Sequence, residues 1–363
     1  MPNTISWTVI GGGNGGQSLA GHLAIQGLPV SLYDIFPETI DAINALGGIH
    51  VNGAVEGFGP LQCATTQIDR ALENADVVMI VAPAIAHHSI ACDCAPYLKD
   101  GQTVFLHPGS TGGALEFRRV LETEGCTASV TIAESNSLLY ACRCLEPGRA
   151  SIFGIKKELT VASLPTVKTG QVMDKLTPVF PWMKPGKNVL ETSLSNPNAI
   201  MHPTPTLLNT SLIESDREWL YYWDGITPSI GAFVESLDRE RIALAKAFGL
   251  DLPSIRTWYK IAYGVDGDSL SEVVKANAAY AGVKGQTQLN TRYLLEDIPM
   301  GLVPMVSLGK ALGIEVVRME NVIRLAEFLL EKDLHAVGRT VETLGLDGKS
   351  VKEILDFVDT GRW

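Results

Sequence analysis

Seven histidines are the first places to look for a group that moves one proton near neutral pH, because only imidazole ordinarily titrates there. Their contexts separate them. His22 falls inside an apolar helical stretch, His335 near the C-terminus, His50 in a turn region, and His87 and His88 early in a helix, where packing or surface roles suffice. His107, in HPGSTGG, and His202, in SNPNAIMHPTPTLLN, remain as rival proton donors. Around His202, Pro197, Pro203 and Pro205 fix local backbone angles, and the proline directly after it biases the histidine away from helix-interior geometry towards an extended one. Rigidity of this kind suits a side chain that must be aimed, and suits equally a histidine that merely ends a loop. A catalytic imidazole needs a carboxylate on one ring nitrogen to fix its tautomer. The stretch NTRYLLEDIPMGLVP offers Arg292, Glu296 and Asp297, which can as easily form a surface salt bridge. Spacing alone does not decide.

The second chemistry is phosphate binding. In VIGGGNGGQSLAGHLA, residues 9–24, the pattern Gly11-x-Gly13-x-x-Gly16, with Asn14 and Gly15 inside it, follows an apolar run and opens an amphipathic one. The first glycine permits the tight bend, the second lets backbone N–H groups approach a pyrophosphate, and the third allows close helix-to-strand packing. The helix N-terminus adds donors and partial positive charge. Asp34 closes the next apolar run, where a carboxylate accepts hydrogen bonds from the ribose of an adenosine and repels a 2′-phosphate. NAD(H) is therefore favoured over NADP(H). Two further loops, Ala82-Pro83-Ala84 and His107–Gly113, are expected at the dinucleotide edge, bringing Pro83 and His107 to the cofactor.

These residues need a scaffold. The runs Ser6–Ile10, Val30–Asp34, Val77–Ala82, Thr103–Leu106 and Ser129–Ala133 are continuously apolar, as strands covered on both faces are. Gly15–Gln26, Glu38–Leu46, Ala84–Tyr97 and Gly112–Glu124 serve as crossover helices between them. The reading is α/β, a Rossmann-type doubly wound parallel sheet. Ala150–Ile155, Leu159–Ala162 and Asn188–Thr192 are read as antiparallel additions. Beyond residue 195 the pattern turns helical: Thr227-Pro228 starts one helix that Gly249 stops, and Met319, Val322, Ile323, Ala326 and Leu330 stripe another. The expected division is a dinucleotide-binding domain over 1–194 and an all-α domain over 195–363.

Composition narrows the rest. At 363 residues the chain is long enough for two cores, and with 46% apolar and 19% charged residues it reads as globular. A formal charge of −11 opposes a phosphate-backbone footprint, so small molecules rather than nucleic acid are the expected partners. No secretory leader and no membrane-spanning run are read, so a cytoplasmic enzyme is expected. All six cysteines precede residue 145, and the single-residue spacings Cys92/Cys94 and Cys142/Cys144 read as reduced thiols, with no metal site.

Taken in order, GGGNGG, HPGSTGGALEF, SLLYACR, SNPNAIMHPTPTLLN, GITPS and NTRYLLEDIPMGLVP resemble the opine dehydrogenase family over nearly the entire chain. That resemblance implies reductive joining of a 2-oxo acid, commonly pyruvate, to the amino group of an L-amino acid with NAD(P)H. It implies His202 as the acid/base, Asp297 as its orienting carboxylate and Arg292 as the clamp on the 2-oxo acid. It places Cys142, and with it Asn198, Asn209 and Thr111, on the substrate side, and suggests a homodimer. His107 departs from the asparagine of relatives, which keeps it as a rival proton donor. Two alternatives stand: a dehydrogenase of the glycerol-3-phosphate or ketopantoate reductase type, which would need a lysine acid such as Lys246, Lys260 or Lys275, and a non-catalytic NAD-binding sensor.

Overall fold

In this computed structural model, which describes residues 5–363, the first unit runs to Thr192 and takes in Asp356–Trp363, and the second is Ser193–Leu355. The terminal segment therefore groups with the first unit rather than ending the helical one, because Val358 is buried and its carbonyl accepts the Thr166 hydroxyl at 3.0 Å.

The strands of the first unit are β1 (Trp7–Ile10), β2 (Val30–Tyr33), β3 (Gly48–Gly53), β4 (Gly57–Pro60), β5 (Cys63–Thr65), β6 (Val77–Ile80), β7 (Thr103–Leu106), β8 (Thr131–Ser135), β9 (Tyr140–Glu146), β10 (Arg149–Ile155), β11 (Leu159–Leu164) and β12 (Met183–Pro185). Eight form one sheet in the order β12-β11-β8-β7-β6-β1-β2-β5. Every pairing in it is parallel except β11 with β8. All residues of β1, β6 and β7 are buried, which is why their sequences show no polar alternation. The order reverses between β1 and β6, and such a reversal opens a ligand crevice at the carboxyl ends of the strands.

The strand expected over Asn188–Thr192 is instead the helix Val189–Leu194. Asn188 Oδ1 accepts from the N–H groups of Leu190 and Glu191 at 3.1 and 3.2 Å, an N-terminal cap that overrides the short apolar run. The strand expected over Ala150–Ile155 is β10, but it belongs to a second sheet, β4-β3-β10-β9, parallel to β3 and antiparallel to β9; β3, β4 and β9 are not expected from the sequence, and His50 lies on β3 rather than in a turn. Its glycines mark close packing: a Cβ on Gly59 would lie 2.5 Å from the Gly21 carbonyl oxygen of the helix Asn14–Ile25.

In the second unit the helix Pro228–Ala247 begins as expected, with Thr227 accepting from Ile230 N–H, and ends before Gly249 at φ +66°. It buries Val234, Leu237 and Leu244. The helix Val317–Leu330 buries Met319, Val322, Ile323 and Ala326. Between apolar residues sits Arg241, whose guanidinium is satisfied by Asp238 at 2.8 Å and by the carbonyls of Leu194 and Pro253 at 2.9 and 2.8 Å, as a buried cation requires.

Candidate active site

His202 joins two short helices, Asn198–Met201 and Pro203–Leu208. Its backbone is α-like, at φ −98° and ψ −50°, not extended as the following proline suggests. The turn continues because His202 N–H donates to Asn198 O at 3.0 Å and Thr206 N–H donates to His202 O at 3.2 Å, while Pro203 supplies no donor and jogs the axis. The Tyr221 hydroxyl also donates to His202 O, at 2.8 Å. The ring is fixed as firmly as the backbone. Tyr293 stacks on it with centroids 3.9 Å apart and planes 12° apart, and Tyr221 meets it edge-on at 6.3 Å. Neither tyrosine is singled out by the sequence, although Tyr293 adjoins Arg292.

Asp297 comes from 95 residues further along the same unit and receives His202 Nδ1–H at 2.7 Å. It precedes the turn Ile298–Leu302, where Leu302 N–H reaches back to Asp297 O at 3.2 Å in the wide π-helical manner. With Nδ1 committed to the carboxylate, the lone pair or proton that can be exchanged is on Nε2. Arg292 opens the helix Arg292–Leu295 with an exposed side chain, and its Nε donates to Glu296 at 3.1 Å. Asn198 is partly buried beside the histidine. Asn209 is buried and its amide is spent on the carbonyls of Pro205 and Gly225, at 2.7 and 2.9 Å.

His107 is a different kind of residue. It is buried at the end of β7, Nε2 accepts from Leu139 N–H at 3.2 Å, and Nδ1–H donates to Ser135 Oγ at 2.7 Å, whose hydroxyl passes on to Ser137 O at 3.0 Å. Burial, aided by the Lys156 charge, pushes its pKa down to about 3. Neutral and with both nitrogens occupied, it is a tie between β7 and β8, so the rival proton donor is withdrawn. His87, expected at the surface, is fully buried, and His22 is a packing residue bonded to the Tyr140 hydroxyl at 2.7 Å.

In the first unit the glycine loop has the shape its spacing implies. Gly11 stands at φ +109°, and a Cβ there would meet the Val81 carbonyl oxygen at 2.5 Å; on Gly16 it would fall 1.7 Å from Gly11 O. Gly13 faces open space. Asn14 starts the helix Asn14–Ile25 and accepts Cys144 N–H on its side chain at 2.8 Å, and Gly15 lies under Val81 and Leu138. Buried Gln17, unnoticed in the sequence, braces the loop by donating to Gly12 O at 2.5 Å and accepting from Gly148 N–H at 2.7 Å. Asp34 is buried against the loop, accepting from Gly12 and Phe36 N–H, the latter at 2.9 Å, with no cation within 4.0 Å among the described residues. A buried carboxylate without a cation beside an open glycine turn fits the ribose and pyrophosphate of NAD(H).

Pro83 is exposed ahead of the short turn Ala84–Ala86, and Thr111 is buried in the loop before the helix Gly113–Thr123. That helix is capped by Glu134, which accepts Ala114 N–H at 2.7 Å and the Thr192 hydroxyl at 2.6 Å. Cys142 and Cys144 both turn towards Asn14 O, at 3.5 and 3.8 Å, and burial raises both thiol pKa values, so they are neutral contacts. The six cysteines are free.

Comparison with known proteins agrees with both halves. Residues 185–330 match the family described as NAD/NADP octopine/nopaline dehydrogenase, alpha-helical domain, and residues 6–109 match NAD-dependent glycerol-3-phosphate dehydrogenase N-terminus. An opine dehydrogenase of Arthrobacter sp. (strain 1C) is 42% identical over 360 residues, covering 99% of this chain and 100% of that protein. The octopine dehydrogenase of Pecten maximus is 25% identical over 99% of this chain and 100% of its own. A solved octopine dehydrogenase with NADH and L-arginine superposes with a TM-score of 0.82 at 24% identity, covering 99% of each chain. A ketopantoate reductase from Ralstonia eutropha JMP134 reaches 0.62 at 19% identity, covering 91% of this chain and all of its own. The glycerol-3-phosphate likeness is thus confined to the first half, and of the lysines that alternative needs, Lys260 is tied to Asp266 at 2.5 Å and Lys275 lies over Trp223. The histidine site and the full-length likeness converge, and the chain belongs to the opine dehydrogenase family.

Proposed function

We propose that this protein condenses a 2-oxo acid, in the first instance pyruvate, with the amino group of an L-amino acid and reduces the resulting imine with NADH, and that it runs the reverse oxidation. The hydrogen bond between His202 and Asp297 carries this reading. Gly11, Gly13, Asn14, Gly15 and Gly16 would hold the pyrophosphate, Asp34 the adenosine ribose, and Pro83 and the loop from His107 the edge of the dinucleotide. Bound NADH supplies the hydride.

The remaining work is proton transfer and orientation, and the chain's own residues do it. Nε2 of His202 takes a proton from the attacking amine and returns one to the carbonyl oxygen as it leaves as water; in the oxidative direction it takes the proton of the secondary amine. Asp297 keeps Nδ1 protonated and stabilises the imidazolium, and Tyr293 holds the ring plane. Arg292 presents its terminal nitrogens to the carboxylate of the 2-oxo acid, while Glu296 anchors its Nε. Cys142 and Asn198, both partly exposed, are substrate contacts in this reading, as is Thr111; Asn209 braces the segment after His202.

The enzyme is read as a cytoplasmic homodimer, on family likeness and on its six free cysteines. No helix among the described residues is long and apolar enough to cross a membrane. The deciding assay follows NADH consumption with pyruvate and a panel of L-amino acids, with the product identified by mass. The expected product is the secondary amine dicarboxylate; NADH consumption that yields only a hydroxy acid, or none at all, overturns the reading.

A further inference from the structure

We propose that Gln286 is a positioning residue for the pair His202 and Asp297, its amide holding the two segments that carry them at a fixed spacing. This rests on the reaction proposed above only in taking that pair as catalytic. All the residues concerned lie in the second unit. The Gln286 amide nitrogen donates to Thr206 Oγ1 at 3.2 Å and to Thr291 Oγ1 at 3.4 Å, one hydrogen to each side. Thr206 lies on the helix Pro203–Leu208, directly after His202. Thr291 precedes the helix Arg292–Leu295: its carbonyl accepts Leu295 N–H at 2.9 Å, and Arg292 O accepts Asp297 N–H at 3.1 Å. The amide thus spans from the segment of the imidazole to the segment of the carboxylate.

On the Thr206 side the bonds have a direction. The Tyr221 hydroxyl has one hydrogen, directed to His202 O at 2.8 Å, with Met201 O further off at 3.5 Å. Thr206, 3.0 Å from that hydroxyl, therefore donates its own hydrogen to Tyr221 and keeps a lone pair for Gln286. The relay runs from the amide to Thr206, to Tyr221 and to the His202 carbonyl, each donor polarising the next. Thr206 and Tyr221 are fully buried, so a missing member leaves a buried hydroxyl short of a partner.

Gln286 is itself held in place. Segments 219–221 and 283–286 run antiparallel: Tyr221 N–H donates to Val283 O at 2.9 Å, Gly285 N–H to Trp219 O at 2.8 Å, and Trp219 Nε1–H to Gln286 O at 3.2 Å. Position 285 has room only for glycine, because a Cβ there would lie 2.0 Å from the Trp219 ring. One ribbon therefore carries both Tyr221 and Gln286, and reaches the His202 segment through each of them. A neutral amide adds no charge to the pair, so its contribution is geometric. A misplacement of about 1 Å at such a pair costs about 100-fold in rate.

The test compares wild type with Gln286→Leu, Gln286→Glu, Tyr221→Phe and the double variant Gln286→Leu/Tyr221→Phe, each as the full-length enzyme. Kinetics with pyruvate and the best L-amino acid of the panel are read beside the Kd for NADH and the melting temperature. The proton–nitrogen NMR signal of His202 Nδ1–H, identified by its absence from His202→Asn, reports the ring directly. Gln286→Leu should lower kcat about 10- to 100-fold, change the KM for pyruvate far less, leave the Kd for NADH within about twofold, and shift or broaden the Nδ1–H signal. Both single variants break one relay, so the double variant should match the slower single within about twofold. Gln286→Glu cannot donate to Thr206 and should not restore kcat. A kcat within about twofold of wild type in Gln286→Leu, a loss carried by KM, losses that multiply in the double variant, or a full rate in Gln286→Glu overturns the assignment. So does a lowered melting temperature with the Nδ1–H signal unmoved. Should Gln286→Leu fold poorly, Thr206→Val breaks the same link from the other side and is read by the same measurements. Absence of amine-dependent turnover in the wild type contradicts the reaction itself, whereas an Nδ1–H signal indifferent to Gln286→Leu contradicts only the glutamine.

Discussion

Across 95 residues of sequence, Asp297 accepts the Nδ1 hydrogen of His202 at 2.7 Å, while Tyr293 lies flat against the same ring. The pair fixes one tautomer and leaves one nitrogen for chemistry. Replacing Asp297 by Asn keeps the volume and removes the charge. Turnover in the Asp297→Asn protein should fall about 10²- to 10⁴-fold with little change in NADH affinity, measured by steady-state kinetics and cofactor binding.

Asp34 is the residue proposed to set the cofactor. Its buried carboxylate sits on the glycine loop with no cation within 4.0 Å among the described residues to receive a 2′-phosphate. Asp34→Ser should weaken NADH about 10-fold or more and improve the relative use of NADPH, read as the ratio of kcat/KM values. An unaltered ratio contradicts the assignment.

Arg292 tests the clamp. Its Nε is already held by Glu296 at 3.1 Å, so in the proposed clamp the rest of the guanidinium fork meets the carboxylate. Arg292→Lys keeps the charge and loses the fork, and KM for pyruvate should rise about 10-fold or more while NADH binding is unchanged.

His107 gives a prediction about stability rather than rate. Its folded pKa of about 3 lies below the ordinary 6.5. The unfolded chain therefore takes up a proton at His107 before the folded one does, so its contribution is complete above pH 6.5 and is lost as pH falls from there towards about 3. A series of thermal melts should show a shallower decline over that window in His107→Asn than in wild type, and the pH profile of turnover should keep its wild-type shape. A changed profile would revive His107 as a proton donor.

How much of this was written in the sequence depends on the range of the interaction. The glycine loop, Asp34 and the strands around them are local patterns, and buried parallel strands announce themselves by unbroken apolar runs such as Val77–Ile80. The helix Val189–Leu194 was hidden because a capping asparagine outweighed the short apolar stretch after it. The β3 and β4 strands were hidden because their glycines, which look like turns, are demanded by close approach of backbone: Gly59 to the helix Asn14–Ile25, Gly48 to β4 and Gly53 to β10. For His202 the sequence offered only a proline-rich frame and a distant Arg-x-x-x-Glu-Asp stretch; that Asp297, rather than Glu296, meets the ring is a tertiary fact. His107 and His202 look alike as residues, and only burial and hydrogen-bond partners tell a structural tie from a proton carrier.

Proton transfer by His202, as proposed, is read most directly in one variant. The measurement is kcat for amine-dependent NADH oxidation by His202→Asn, made beside circular dichroism and the Kd for NADH on the same preparation. The expected result is a native spectrum, an NADH Kd within about twofold of wild type and a turnover reduced about 10²- to 10⁴-fold. Near-normal turnover by a folded, NADH-binding His202→Asn protein would contradict it.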